Sequence, residues 1–210
     1  MRKGIVSLFC MIVVLFFIVM SMVGPWYGMS AVSYEVSMSL TSSTSTISGE
    51  TVTTSYSDAR KMAETNLGAD ISMIEIFDIT FYLVIFVLVI AILALIFFVG
   101  YFFNSAKQGV IKKLAVMFGV ITFILTLVSV FYFMFAFISK MNTFSNMQGI
   151  QNVGFWYSYS ISGVDLFMGP GFAWYLMLTA GVVALISVIF VFIDKPEKPV
   201  SQNPVDIKSL

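Results

Sequence analysis

Four long apolar stretches, at residues 5–24, 79–103, 114–138 and 172–193, constrain this chain more than any other feature. A helix needs about 20 mostly apolar residues to cross ~30 Å of hydrocarbon, and each stretch supplies that. Inside lipid, every backbone N–H and C=O must find an internal partner, so such stretches must be helical. Hydrophobic residues make up 59% of the chain and charged residues 10%, which places it in the membrane class. Its 210 residues with four spans read as a single integral domain over 1–210, without room for a separate soluble enzyme domain.

Charge sets the expected topology. Arg2 and Lys3 precede the first span; Lys107, Lys112 and Lys113 lie between the second and third; Lys195, Lys198 and Lys208 follow the fourth. The intervening segments hold Arg60, Lys61 and Lys140, so eight of the eleven basic residues fall on one side. The positive-inside rule then places both termini in the cytoplasm and predicts a multi-pass plasma-membrane protein. It has extracellular loops at 25–78 and 139–171 and a flexible tail at 194–210. Arg2 and Lys3 before an apolar run also resemble a signal peptide. The run exceeds the usual apolar core, and Gly24-Pro25-Trp26-Tyr27 offers no small-x-small cleavage pattern, so a retained helix is expected. Pro25 ends that helix.

Several chemistries lose their usual residues. The chain has no histidine, the commonest general base and metal ligand. Cys10, the single cysteine, lies inside the first span and reads as a packing residue; no intrachain disulfide can form. No phosphate loop, nucleophile elbow or metal-ligand cluster appears. No enzymatic activity, cofactor or metal is expected, and the absence of a dense basic run gives nucleic-acid binding no support. The spans contain no internal charge, whereas pumps and relays normally need one. A small pore or transporter is therefore the weakest functional reading.

The predicted outer loops carry strand signals. Val32, Tyr34, Val36, Met38 and Leu40 alternate with Ser33, Glu35, Ser37 and Ser39, a period of two that reads as a half-buried strand. Thr41–Thr46 reads as a Ser/Thr loop and 47–56 as a second strand, with Gly49 a candidate bulge. A short helix follows at 58–66, capped by Ser57 or Asp58 and ended by Gly68. In the second loop, 155–162 alternates as one strand, expected to add to the edge of the first hairpin because a lone strand is unstable. Gly169-Pro170-Gly171 is read as a turn into the fourth helix. The predicted fold is an all-α membrane four-helix bundle bearing a small extracellular antiparallel sheet.

This order of elements resembles the claudin and peripheral-myelin-protein superfamily over nearly the whole chain. Trp26 follows the first span where claudins carry a tryptophan. Gly171-Phe172-Ala173-Trp174-Tyr175-Leu176 resembles the Gly-Trp-x-x-x-Leu opening of their fourth helix, and the helix at 58–66 sits where claudins place one. The chain lacks the first-loop Gly-Leu-Trp motif and cysteine pair of claudins, so no pore or pairing residue carries over. The resemblance implies a claudin-like tetraspan protein with a structural, adhesive or self-assembling role. Tyr34, Glu35 and Val36 on the first strand and Trp156, Tyr157 and Tyr159 on the last are the candidate interaction residues. Trp26, Tyr27, Trp174 and Tyr175 are read as membrane-interface anchors, and Gly119 and Gly181 as close helix-packing positions. Expected partners are the lipid bilayer and either a second copy or another integral membrane protein. The latter would make the chain an accessory subunit of a channel, transporter or enzyme complex.

Overall fold

A computed structural model describes residues 3–65, 71–103, 108–147, 154–161 and 164–194. Gly68, Ser162 and the tail after Asp194 lie outside the described residues. Four helices, α1 (Lys3–Val23), α3 (Ser72–Phe103), α4 (Gln108–Met147) and α5 (Phe172–Ile193), form a bundle. All four are long and apolar enough to cross a membrane. In chain order α1 is followed by β1 (Tyr27–Ala31), β2 (Tyr34–Met38), β3 (Ser42–Ile47), β4 (Glu50–Ser55) and the short helix α2 (Tyr56–Thr65). Strands β5 (Tyr157–Ile161) and β6 (Val164–Pro170) lie between α4 and α5.

The four long helices are apolar almost all round, and small residues together with the serines and threonines mark much of the face that turns inward. On α5 the buried residues include Ala173, Met177, Ala180, Ala184, Ser187 and Val191, while Phe172, Val182, Ile189 and Phe192 face out. Steps of alternating four and three are the heptad spacing of helices that supercoil gently together. On α3 the same spacing runs Thr80, Val84, Val87, Ala91, Ala94, Phe98 and Tyr101. Small inward residues let backbones approach closely, which compensates for the missing hydrophobic drive between helices in lipid. α1 packs on α5 and α3, and α4 packs on α3 and α5, so bundle neighbours run antiparallel. Within the α1–α5 seam, Ser7 Oγ donates to the Ser187 carbonyl at 2.5 Å and Ser187 Oγ to the Ser7 carbonyl at 2.8 Å. A link of this kind contributes about 0.6 kcal/mol in a membrane helix pair.

The helices and their predicted spans differ at the sheet end. α3 begins at Ser72 and α4 runs on to Met147, well past the apolar limits at 79 and 138. At 1.5 Å per residue, 40 residues make α4 about 60 Å long, roughly twice the hydrocarbon thickness. Tertiary packing favours these extensions: Ile76 and Phe77 in the added turn of α3 are buried, and Phe77 lies against Tyr56 and Phe133.

One six-stranded antiparallel sheet stands on that end, in the order β4-β3-β2-β1-β6-β5. It holds twice as many strands as the sequence indicated. The expected strand from Val32 starts at Tyr34, because Val32 and Ser33 form the two-residue turn between β1 and β2. The expected Ser/Thr loop is β3. Its hydroxyls pair across to β4, Thr44 with Thr53 at 3.0 Å and Thr46 with Thr51 at 3.1 Å. Gly49 is not a bulge. Ser48 (φ 51°) and Gly49 (φ 89°) form the β3–β4 turn, and two positive φ values match the twist of a tight hairpin. Ser55, not Ser57 or Asp58, caps α2: its Oγ accepts the Asp58 N–H at 3.2 Å and donates to the Asp58 carboxylate at 2.7 Å. In the second loop Gly169 and Pro170 end strand β6, which pairs with β1 as Gly28↔Gly169 and Tyr27↔Pro170. The strand expected at the sheet edge is β5, held through β6.

The chain crossing below the sheet ties α1 to α5. Gly171 N–H donates to the Trp26 carbonyl and Ala173 N–H to the Pro25 carbonyl, both at 2.9 Å. These bonds satisfy free donors at the start of α5. A Cβ on Gly171 would collide with the Pro25 carbonyl oxygen, so this crossing requires glycine.

Candidate functional site

Among the described residues the sheet has two unlike faces and two free edges. One face carries Tyr27, Met29, Val36, Met38, Tyr157 and Met168, the register aligning Met29 with Val36 and Met168 and Met168 with Tyr157. Its rows nearest the bundle are buried or half-buried, with Val36 4% and Met168 5% exposed. Farther out the same face is open and mixed: Tyr34 pairs with Ile47 and Ile47 with Glu50, and Tyr34, Ile47, Val52 and Tyr159 are all exposed. The opposite face is mostly hydroxyl-bearing. Its base holds a shallow groove of about 240 Å³ over the paired Gly28 and Gly169, with Glu35, Ser37 and Phe167 on its walls.

The six candidate interaction residues occupy two separate places. Tyr34, Glu35 and Val36 lie on β2, an interior strand between β3 and β1. Their backbones are already paired and cannot accept an added strand. Val36 is buried in the protein; Tyr34 and Glu35 are exposed on opposite faces. Tyr157 and Tyr159 lie on β5, a free edge, with their rings 6.1 Å apart and nearly parallel. Tyr157 leans half-buried on the core, and Trp156, just before the strand, is 52% exposed. Trp156 Nε1 donates to the Tyr175 hydroxyl at 3.2 Å.

Three of the four expected interface anchors face inward instead. Trp26 and Tyr27 are 0% exposed and Trp174 is 5%, so they form the joint between sheet and bundle and do not face lipid. Trp26 Nε1 donates to the Ser21 carbonyl at 2.7 Å, and its ring meets Phe133 edge-on at 5.2 Å. Tyr27 lies 4.1 Å from Phe137 and 5.5 Å from Phe155 between ring centroids. Burial pushes the Tyr27 hydroxyl up to about 12, since a low-dielectric setting disfavours the charged form. Tyr175 is exposed, as are Phe172 and Phe167. Together with Trp156 they put the exposed aromatic belt at the base of β5, β6 and α5.

Gly119 and Gly181 pack within the bundle. A Cβ on Gly119 would overlap Val188, and one on Gly181 would meet Thr126 Cγ2 at 3.2 Å. Both glycines thus sit where neighbouring helices of the bundle approach closely.

Sequence reasoning missed Phe77, Phe133, Phe137 and Phe155, the rings that hold the joint. Phe133 and Phe137 recur at the four-residue spacing of one helix face, but bulky aromatics surround them in sequence. β4 lies within the strand expected at 47–56, but β3 beside it was missed because its hydroxyl-bearing residues line both faces. A short tether runs from the sheet to α3: Arg60 on α2 forms an ion pair with Asp78. Among the described residues no group of three His, Cys, Asp or Glu side chains could hold a metal ion. No known protein-family model matches the chain, and no curated protein matches it in sequence.

Proposed function

We propose that this chain is a claudin-like tetraspan protein of the plasma membrane, with both termini cytoplasmic, whose extracellular sheet joins copies into a structural or adhesive assembly. One observation carries the reading: neither edge strand of the sheet carries lysine or proline, and Glu50 is the one charge on either. β4 reads Glu-Thr-Val-Thr-Thr-Ser and β5 reads Tyr-Ser-Tyr-Ser-Ile. Lysine and proline are residues that blunt edges against pairing with another chain. An edge strand offers a row of main-chain donors and acceptors, and strand addition between proteins uses that row. Pairing β4 of one copy with β5 of the next is a head-to-tail contact, which builds a closed ring or an open row according to the rotation between copies, and would extend one sheet across several bundles. The exposed Tyr34, Ile47, Val52 and Tyr159 would widen that contact. The distribution of basic residues supports the orientation.

The test places a lysine on each edge, Val52→Lys on β4 and Tyr159→Lys on β5; both positions are exposed, so folding is spared. Wild-type protein in mild detergent is expected to run as oligomers by light scattering, and the double variant as monomers with an unchanged melting temperature. Oligomers that persist in the double variant would remove the sheet edges from the reading.

A further inference from the structure

A second surface lies away from the sheet edges, on the α3–α4 seam. There Ser72, Glu75, Ile76, Ile79, Tyr132, Ala136, Ser139 and Lys140 enclose a groove of about 270 Å³. Its polarity is graded. Ser72 and Glu75 on α3, with Ser139 and Lys140 on α4, lie just beyond the apolar stretches that begin at 79 and end at 138. Ile79, Ala136 and Tyr132 lie inside them. Below the groove the outer surface of α3 continues with Ile79 and Tyr82, 46% and 70% exposed. The groove therefore straddles the boundary that headgroups occupy and opens onto the acyl chains.

Its two charges have opposite sign and are exposed. Among the described residues neither the Glu75 carboxylate nor the Lys140 ammonium has an ion-pair partner, and they do not pair with each other. The neighbouring acid, Asp78, is held by Arg60. A carboxylate and an ammonium carried on two packed helices complement a headgroup that carries both an ammonium and a phosphate. Lysine binds phosphate as a point charge. The added carboxylate disfavours a purely anionic headgroup by like-charge repulsion.

The geometry points to a bound zwitterionic phospholipid in this groove, its phosphate on Lys140, its ammonium on Glu75 and one acyl chain along Ile79 and Ala136. The inference rests on the multi-pass reading and is independent of self-assembly.

Purified full-length protein, reconstituted in vesicles and then extracted with equimolar phosphatidylethanolamine and phosphatidylglycerol, tests it by native mass spectrometry. Wild type should retain phosphatidylethanolamine at least about five-fold over phosphatidylglycerol. Glu75→Gln should erase that preference, Lys140→Gln should lower retention of both lipids about five-fold, and Lys113→Gln at the opposite end should change neither. Equal retention by wild type, or unchanged retention by Lys140→Gln, overturns the proposal. So does displacement by free phosphoethanolamine, which would make the ligand a soluble one. Failure to insert into vesicles at all would instead strike the multi-pass reading on which the site depends.

Discussion

The two ends of the bundle are closed by different physics. At the sheet end, Trp26, Tyr27, Phe77, Phe133, Phe137, Phe155 and Trp174 interlock as one aromatic layer. At the other end polar links do the closing. Tyr101 of α3 donates to the Asp194 carboxylate at 3.2 Å, and Lys112 of α4 donates to the Asp194 and Phe192 carbonyls at 2.6 and 3.1 Å. A Cβ on Gly4 of α1 would lie 3.4 Å from that same carboxylate, so all four long helices meet there. The contrast follows from the load at each end. Six strands must be seated on the bundle, and apolar area supplies a large but non-directional attraction for that. The other end needs only its helix tails held in place. A lysine on the free carbonyls at the end of α5 does that with little buried area, and its charge suits a helix C-terminus.

The largest test of this contrast is Phe133→Ala. The Phe133 ring is fully buried and lies 5.2 Å from both Trp26 and Phe77. Its removal should cost about 3–5 kcal/mol, the usual range for a buried phenylalanine. The melting temperature in a fixed detergent should fall, and limited proteolysis should cut the β1–β4 segment first, because the sheet loses its seat before the helices separate. A variant that melts like wild type would mean that the aromatic layer fills space without holding the sheet. Lys112→Met should cost less, about 1 kcal/mol, because its hydrogen bonds are partly exposed to water. A loss as large as that of Phe133→Ala would erase the difference between the ends.

How much of this was legible in the sequence depends on what each region uses for packing. Apolar length alone revealed the four helices, and α5 matches its predicted limits of 172 and 193. The inward faces were hidden, since Ala180, Gly181 and Ala184 differ from their outward neighbours in volume and not in polarity. β2 was readable because Tyr34, Val36 and Met38 alternate with polar residues. β3 was not: Ser and Thr occupy both of its faces, so the period of two has no hydropathy signal, and cross-strand pairs such as Thr44–Thr53 decide its structure. β6 was masked by Gly169-Pro170-Gly171, a turn-like string whose proline sits at the strand end, where a missing N–H is tolerated. Of the candidate site, β5 and its tyrosines were found. β4 falls within the strand expected at 47–56, but its place at the sheet edge and the burial of Trp26 and Tyr27 depend on tertiary packing that no local pattern records.

The smallest effect at neutral pH concerns a polar group placed inside the apolar end. Tyr27 Oη donates to the Phe155 carbonyl over a long 3.3 Å, so Tyr27→Phe should cost less than about 1 kcal/mol at pH 7. Alkaline conditions separate the two proteins. Burial raises the Tyr27 pKa from its ordinary 10.0 to about 12, and burial shifts Tyr56 in the same direction. Below pH 10 the phenol is protonated in both folded and unfolded chains, and its contribution to stability is fully present. As pH rises from 10 towards about 12 the unfolded chain ionises while the folded one resists, so stability falls, and the contribution is lost through the folded pKa. The sheet should therefore detach in that window, read as tyrosinate absorbance rising together with loss of near-ultraviolet circular dichroism. Tyr27→Phe should move the onset to higher pH, and adding Tyr56→Phe should move it further. An onset identical in wild type and Tyr27→Phe would show that the aromatic layer admits water at Tyr27. The sheet end would then be a wet joint like the opposite one, and the contrast between the two ends would fail.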